Sequence, residues 1–195
     1  MKLNTLDMVH SFLRAYVHPG DFCIDATAGR GRDTALLCEL AGPQGKVLAF
    51  DIQQEALSQT KQLLSEKGLQ ARLILDGHEN MGKYIEPGTA NAIVFNFGRL
   101  PGGDPMIFTH GDTSVRAIQS GIELLAPGGV MAIALYYGKE NGYSEKQAVL
   151  AYLKEIDPKQ VSVLCCDWVN RPNDPPMPIF IWKDPFVCSK MITDH

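Results

Sequence analysis

From about Thr5 to Ile156 the chain alternates short apolar runs with longer segments whose apolar residues recur every three or four positions. That alternation constrains the fold more than any single motif. Strands separated by helices share a sheet as parallel neighbours, with the helices packed on its two faces. Leu6, Val9, Leu13 and Tyr16 predict a leading helix over Thr5 to Val17. Five strands are predicted at Phe22 to Ala26, Lys46 to Phe50, Ala71 to Leu75, Ala92 to Phe97 and Val130 to Leu135. The intervening helices are predicted at Asp33 to Ala41, after Asp51 as far as Lys67 with Gly68 as its stop, at Glu79 to Ile85, Thr113 to Leu125 and Ser144 to Ile156. After Ile156 the pattern changes. Gln160 to Trp168 and Ile179 to Lys183 are strand runs with no helix between them, which predicts a C-terminal antiparallel hairpin on an otherwise parallel sheet.

Composition narrows the class of protein. With 195 residues and 45% hydrophobic content the chain is expected to form one compact domain over residues 1–195. The opening segment carries Asp7, His10 and Arg14 among its apolar residues, unlike a secretory signal, and no apolar run approaches the ~18 residues of a membrane span. A cytoplasmic protein without membrane partners is expected. The five cysteines form no CxxC pair and no Cys/His ligand spacing, so no metal site is expected, and Cys23 and Cys38 read as core residues. A net charge of -4 gives no basic field over the whole surface, so an RNA partner would need a local patch.

In an open α/β sheet, ligands bind beyond the carboxyl ends of the strands where the strand order reverses. The residues delivered there are therefore the candidates. Strand one delivers Asp25 and then ATAGRGRDT, in which Gly29 and Gly31 let the backbone approach a ligand at a helix N-terminus. A tight structural turn would use the same glycines. Strand two ends in Asp51, with Gln53 nearby, a carboxylate placed for ribose hydroxyls or equally for capping the next helix. Strand three is followed by Asp76, Gly77 and His78, suited to the adenine end of the same ligand, although an isolated histidine more often has a structural role. Strand four places Asn96 in an apolar sleeve ahead of the loop FGRLPGGD, and a buried amide must find partners. Asn96 is the first candidate for holding a reacting group.

Taken together, DATAGRGRDT, AFDIQ, LDGHENM, VFNFGRLPGGD, LAPGG and NRPNDPP resemble the bacterial rRNA-methylase family, whose better-understood members are MnmM-type tRNA methyltransferases. These methylate the aminomethyl group of 5-aminomethyl-2-thiouridine at the wobble position. The resemblance implies a Rossmann-like, seven-stranded class I fold that binds S-adenosylmethionine. It places Asp25, Gly29, Arg30, Gly31 and Arg32 in the cofactor loop, Asp51 and Gln53 at the ribose, and Asp76, Gly77 and His78 at the adenine side. Asn96 begins the family's FN-G-LPGGD block, and Arg171 to Pro176 matches a C-terminal polar segment. The chain departs from the family pattern at Arg30, Arg32 and Arg99, and its segment YYGKENG puts Lys139 in a histidine place.

Methyl transfer from a sulfonium is an in-line displacement, so the protein's main task is alignment. An amine acceptor must also be neutral. Asn96 is expected to accept hydrogen bonds from that amine, with Asp104 as a second proton acceptor, and Arg99, Lys139 and Arg171 are expected to meet phosphates of a tRNA anticodon loop. Three rivals remain at this point: a methyltransferase of a small amine or a protein, a nicotinamide-dependent oxidoreductase, and a binding module without turnover. The first loop lacks the full GxGxxG fingerprint of the oxidoreductase, and the intact Asn96 block speaks against the binding module. A homodimer is compatible with the sequence.

Overall fold

The computed structural model describes residues 3–98, 109–137 and 140–185. Its element order is α1 (Thr5–Tyr16), β1 (Phe22–Asp25), α2 (Arg32–Ala41), β2 (Lys46–Asp51), α3 (Gln54–Lys67), β3 (Arg72–Leu75), a 3-10 helix (His78–Lys83), β4 (Ala90–Phe97), α4 (Gly111–Leu124), β5 (Leu125–Leu135), α5 (Glu140–Glu155), β6 (Val161–Cys165) and β7 (Met177–Lys183). The sheet runs β3-β2-β1-β4-β5-β7-β6. β1 to β5 pair in parallel, while β7 runs antiparallel to both β5 and β6. The hairpin expected at the C-terminus is present, and its second strand is the one inserted beside β5.

Strand periodicity decides which helix layer each side chain meets. Ile93, Phe95 and Phe97 of β4 pack with Ile24, Phe50, Ile133 and Ile179 in a core that includes Ile118 of α4 and Val149 and Leu153 of α5. The opposite face of the same strands, Cys23, Val47, Val94, Ala132 and Phe180, packs with Val9 and Leu13 of α1 and with Leu36 and Leu37 of α2. Cys23 and Cys38 are buried, and burial pushes the thiols up to about 12 and about 11, so they are inert core residues.

Local chemistry sets the ends of the elements. Asn4 and Asp7 form a reciprocal capping box at the start of α1. Gly68 closes α3 in the left-handed conformation (φ 66°), as its position predicts. The APGG segment, which lies outside the strand predicted from Val130, falls within β5 as a bulge: pairing holds at Ala90↔Leu125, skips, and resumes at Ala92↔Val130. β6 is shorter than its apolar pattern, because Asp167 and Trp168 leave the strand in a turn whose Trp168 carbonyl accepts from Arg171 N (3.3 Å). Among the described residues no helix is long and apolar enough to cross a membrane.

Candidate functional site

Strand order reverses between β1 and β4, and the loop after β1 is built across that point. Asp25 is fully buried. Its Oδ1 accepts from Thr27 N (3.1 Å) and its Oδ2 from the Thr34 hydroxyl (2.6 Å), so one carboxylate ties the loop to the first turn of α2. Burial, and then the neighbouring charge of Asp33, raise the Asp25 carboxyl to about 7. Gly29 (φ 52°) and Gly31 (φ 77°) take left-handed conformations, and Gly31 caps α2. A Cβ on Gly31 would sit 2.8 Å from Thr60 Cα, so the loop lies tightly on α3. Arg30 and Arg32 stand exposed on its rim.

Asp51 at the end of β2 reaches back to this loop. Its Oδ2 accepts from Gly29 N and its Oδ1 from Gln53 N, both at 2.9 Å. The cap of α3 is Gln53, which makes no side-chain cap bond, so Asp51 bridges strand end and glycine loop. Burial raises its carboxyl pKa despite these bonds. Beside it two apolar side chains are left uncovered, Ile52 at 60% exposure and Leu75, the register partner of Asp51, at 53%.

Beyond β3, Asp76 is engaged by its own turn. It accepts from Tyr84 Oη (2.8 Å), Asn80 Nδ2 (2.8 Å) and Gly77 N (2.7 Å), and these bonds, that of Tyr84 foremost, hold its carboxyl below the usual range. A Cβ on Gly77 would meet the Glu79 carboxylate at 2.4 Å. His78 lies with its ring centroid 5.5 Å from that of Phe97 and 6.1 Å from that of Phe95. Among the described residues its Nε2 is buried without a hydrogen-bond partner, and burial lowers its pKa, which keeps the ring neutral. The base expectation for a lone histidine was a satisfied structural role; an orphaned ring nitrogen at a ligand edge departs from that.

Asn96 occupies the β4 end between the buried Phe95 and Phe97, but the strand pleat turns it toward α1 and α2. Its main-chain N donates to Thr27 Oγ1 (2.7 Å) and its Nδ2 to Asp33 Oδ2 (2.6 Å). Asp33 Oδ1 in turn lies 2.6 Å from His10 Nε2 on α1. Asn96 is half-buried rather than buried, and the partner its amide takes is a carboxylate of this chain. Sequence reasoning missed Asp33, His10, Thr27 and Thr34. Asp33 stood only as the first residue of a predicted helix, and its burial (7% exposed) is the mark that the sequence did not display. Arg171 sits on the β6–β7 connection, its guanidinium 3.6 Å from the centre of the Trp168 ring. Arg99, Asp104 and Lys139 lie outside the described residues.

The arrangement suits an adenosyl ligand. It offers a half-buried carboxylate at a glycine loop for hydroxyls, uncovered apolar side chains for a flat base, and, after β3, a buried imidazole nitrogen with no partner among the described residues. Fold and strand-end residues together define a Rossmann-like class I methyltransferase. The chain belongs to the family described as "Putative rRNA methylase", which it matches over residues 47–182. It is similar to a "tRNA (mnm(5)s(2)U34)-methyltransferase, chloroplastic" of Arabidopsis thaliana, with 30% identity over 190 residues, 91% of this chain and 68% of the relative. Among solved structures it is similar to a "putative rRNA-methylase" from Clostridium thermocellum (40% identity, TM-score 0.91). It is also similar to a "putative methyltransferase" from Streptococcus mutans in complex with SAH (36% identity, TM-score 0.84). In each case the match covers 94% of this chain and 99% of the other. The protein is an S-adenosylmethionine-dependent methyltransferase.

Proposed function

We propose that this enzyme methylates the aminomethyl nitrogen of 5-aminomethyl-2-thiouridine at the wobble position of tRNA, in the cytoplasm. The observation that carries this reading is the orientation of Asn96. With Nδ2 committed to Asp33, the side chain presents Oδ1, a group that can only accept, as an amine acceptor needs. The relative that acts on mnm(5)s(2)U34 at 30% identity supports the same acceptor.

S-adenosylmethionine supplies a methyl group on a cationic sulfur. In the proposed assignment Asp51 would hold its ribose hydroxyls, the Gly29–Gly31 loop would bind along it, and Gly77, His78, Ile52 and Leu75 would receive its adenine. Asp25 and Thr27 shape the loop from beneath. Asn96 Oδ1 accepts an N–H of the neutral amine and aims its lone pair along the line of displacement. With the methyl group moved from sulfur to nitrogen, the amine's surplus proton would leave to water or to Asp104, the candidate acceptor. Arg99, Lys139 and Arg171 are proposed to meet RNA phosphates.

The deciding experiment is mass spectrometry of tRNA nucleosides from cells with and without the gene, followed by incubation of the deficient tRNA with purified enzyme and S-adenosylmethionine. Accumulated 5-aminomethyl-2-thiouridine that converts to its methylamino form bears out the proposal. Identical nucleosides in both strains would transfer the acceptor to a small amine or a protein.

A further inference from the structure

A cavity of about 230 Å³ opens between the start of α1, the residue after β5 and the β6–β7 connection, lined among others by Asn4, Leu6, Tyr136, Arg171, Pro175 and Pro176. We propose that it is the seat of the acceptor nucleotide, with the base stacked on Tyr136 and its phosphate on Arg171. This rests on the tRNA reading above and adds the place and chemistry of recognition. A second cavity, of about 500 Å³ between the end of α3 and the start of β3, lies at the opposite end of the strands.

The smaller cavity adjoins the reacting edge. Tyr136 N donates to Phe97 O (2.9 Å), so Tyr136 stands one residue beyond the Phe97↔Leu135 pair, beside the strand end that carries Asn96. A Cβ on Gly98 would come within 2.9 Å of Tyr136 Cβ, so only glycine admits the tyrosine so near to β4. Burial, and then the charge of Asp33, raise the Tyr136 hydroxyl pKa, so the ring is presented as a neutral phenol. On α1, Leu6 at the cavity is one helical turn from His10, the other partner of Asp33.

Its walls are held before any ligand arrives. Trp168 Nε1 donates to Pro176 O (3.1 Å) and Thr5 Oγ1 (3.3 Å), and the Thr5 hydroxyl donates to Pro176 O (2.5 Å). Arg171 stacks on the same indole. Asn173 (φ 66°) and Asp174 (φ 45°) are consecutive non-glycine residues in the left-handed region, a costly conformation that packing around them must hold, and the Tyr143 hydroxyl bonds to Asp174. Asn4 is spent on capping α1 and Thr5 on Pro176. What the lining residues named here leave for a ligand is an aromatic face, apolar side chains and one guanidinium. That set matches a single unpaired base with its phosphate, and the volume is below that of a drug-sized pocket, suiting one base rather than a stacked run.

The test uses an anticodon stem-loop RNA with 4-thiouridine at the wobble position, irradiated with the enzyme in the presence of SAH and mapped by mass spectrometry. A crosslink at Tyr136 is expected. In steady-state kinetics with stem-loop RNA bearing the aminomethyl nucleoside, Tyr136→Ala raises KM roughly tenfold or more while calorimetric SAH affinity is unchanged, and Tyr136→Phe behaves as wild type. Leu6→Trp, which fills the cavity without removing a polar group, raises KM likewise, and Arg171→Ala lowers the slope of log affinity against log salt by about one. Crosslinks confined to other segments, or a Tyr136→Ala enzyme with unchanged KM, overturn the proposal. Loss of SAH affinity in Tyr136→Ala also overturns it and gives the cavity to the cofactor. Wild-type enzyme that crosslinks at Tyr136 yet leaves the aminomethyl nucleoside unmethylated keeps the cavity and sinks the wobble assignment.

Discussion

Asp33 accepts from both His10 and Asn96, so a carboxylate on α2, itself held by a histidine on α1, sets the direction of an amide on β4. His10 is then a positioning residue. His10→Ala is expected to lower kcat on tRNA with little change in cofactor affinity, and His10→Gln, which keeps a donor, to restore part of it; an equal loss in both variants would reduce His10 to a packing residue. Asn96→Ala should cost roughly 10²-fold in turnover if alignment is its contribution, with calorimetric affinity for S-adenosylmethionine unchanged. Asp25 adds a pH dependence. Its folded-state carboxyl is raised to about 7 against a reference of 3.8, so between those values the folded protein holds a proton that the unfolded chain has released. The resulting contribution to stability is full below about 4 and is lost as pH rises toward 7. Asp25→Asn should therefore gain stability relative to wild type between pH 5 and pH 7 in urea titrations, and a constant difference would show that Asp25 is ionised throughout. The positions of Asp51 and Asn96 were legible in sequence because each lies at the carboxyl end of an apolar strand. Asp33 and His10 were not, because their importance lies in a contact across 23 positions of chain.

At the level of elements, the strand and helix succession was legible because period-2 and period-3.6 patterns respond directly to burial on the sheet and helix faces. Boundaries were set instead by single contacts. The C-terminus of α4 shows this: Lys183 Nζ, from β7, donates to Leu125 O (2.6 Å), Ile122 O (2.8 Å) and Glu123 O (3.3 Å). A lysine at the end of a strand thus caps a helix some 60 residues earlier in the chain, where the last carbonyls carry the negative end of the dipole. Burial lowers its pKa, but the three carbonyls are partners that only a donor can satisfy. Lys183→Met should destabilise the fold by about 2 kcal/mol, the scale of a hydrogen bond to a charged group plus the unmet carbonyls, measured by urea unfolding. A loss within ~0.5 kcal/mol would mean that water replaces the ammonium. The same contact fastens the β6–β7 pair to the parallel part of the sheet, a connection that neither segment's sequence displays.

Taken whole, the molecule places its glycine loop, Asp51, His78 and Asn96 on four different strand ends or the loops after them, so a ligand that touches all four links segments distant in sequence. Such a ligand stabilises the native state alone, since the unfolded chain cannot present these groups together. At a concentration of S-adenosylmethionine about 100-fold above its dissociation constant the gain is ~2.7 kcal/mol. For a chain of this length each kcal/mol moves Tm by about 2 to 4 °C, which predicts a rise of roughly 5 to 11 °C by calorimetry. NAD shares the adenosine half but adds a pyrophosphate, and the Asp51 carboxylate stands at the glycine loop that this negative charge would have to approach. NAD at the same concentration should leave Tm within about 1 °C. The comparison separates recognition of adenosine from recognition of a cationic sulfonium: equal shifts with both ligands would show that the carboxylates around the loop do not select on charge.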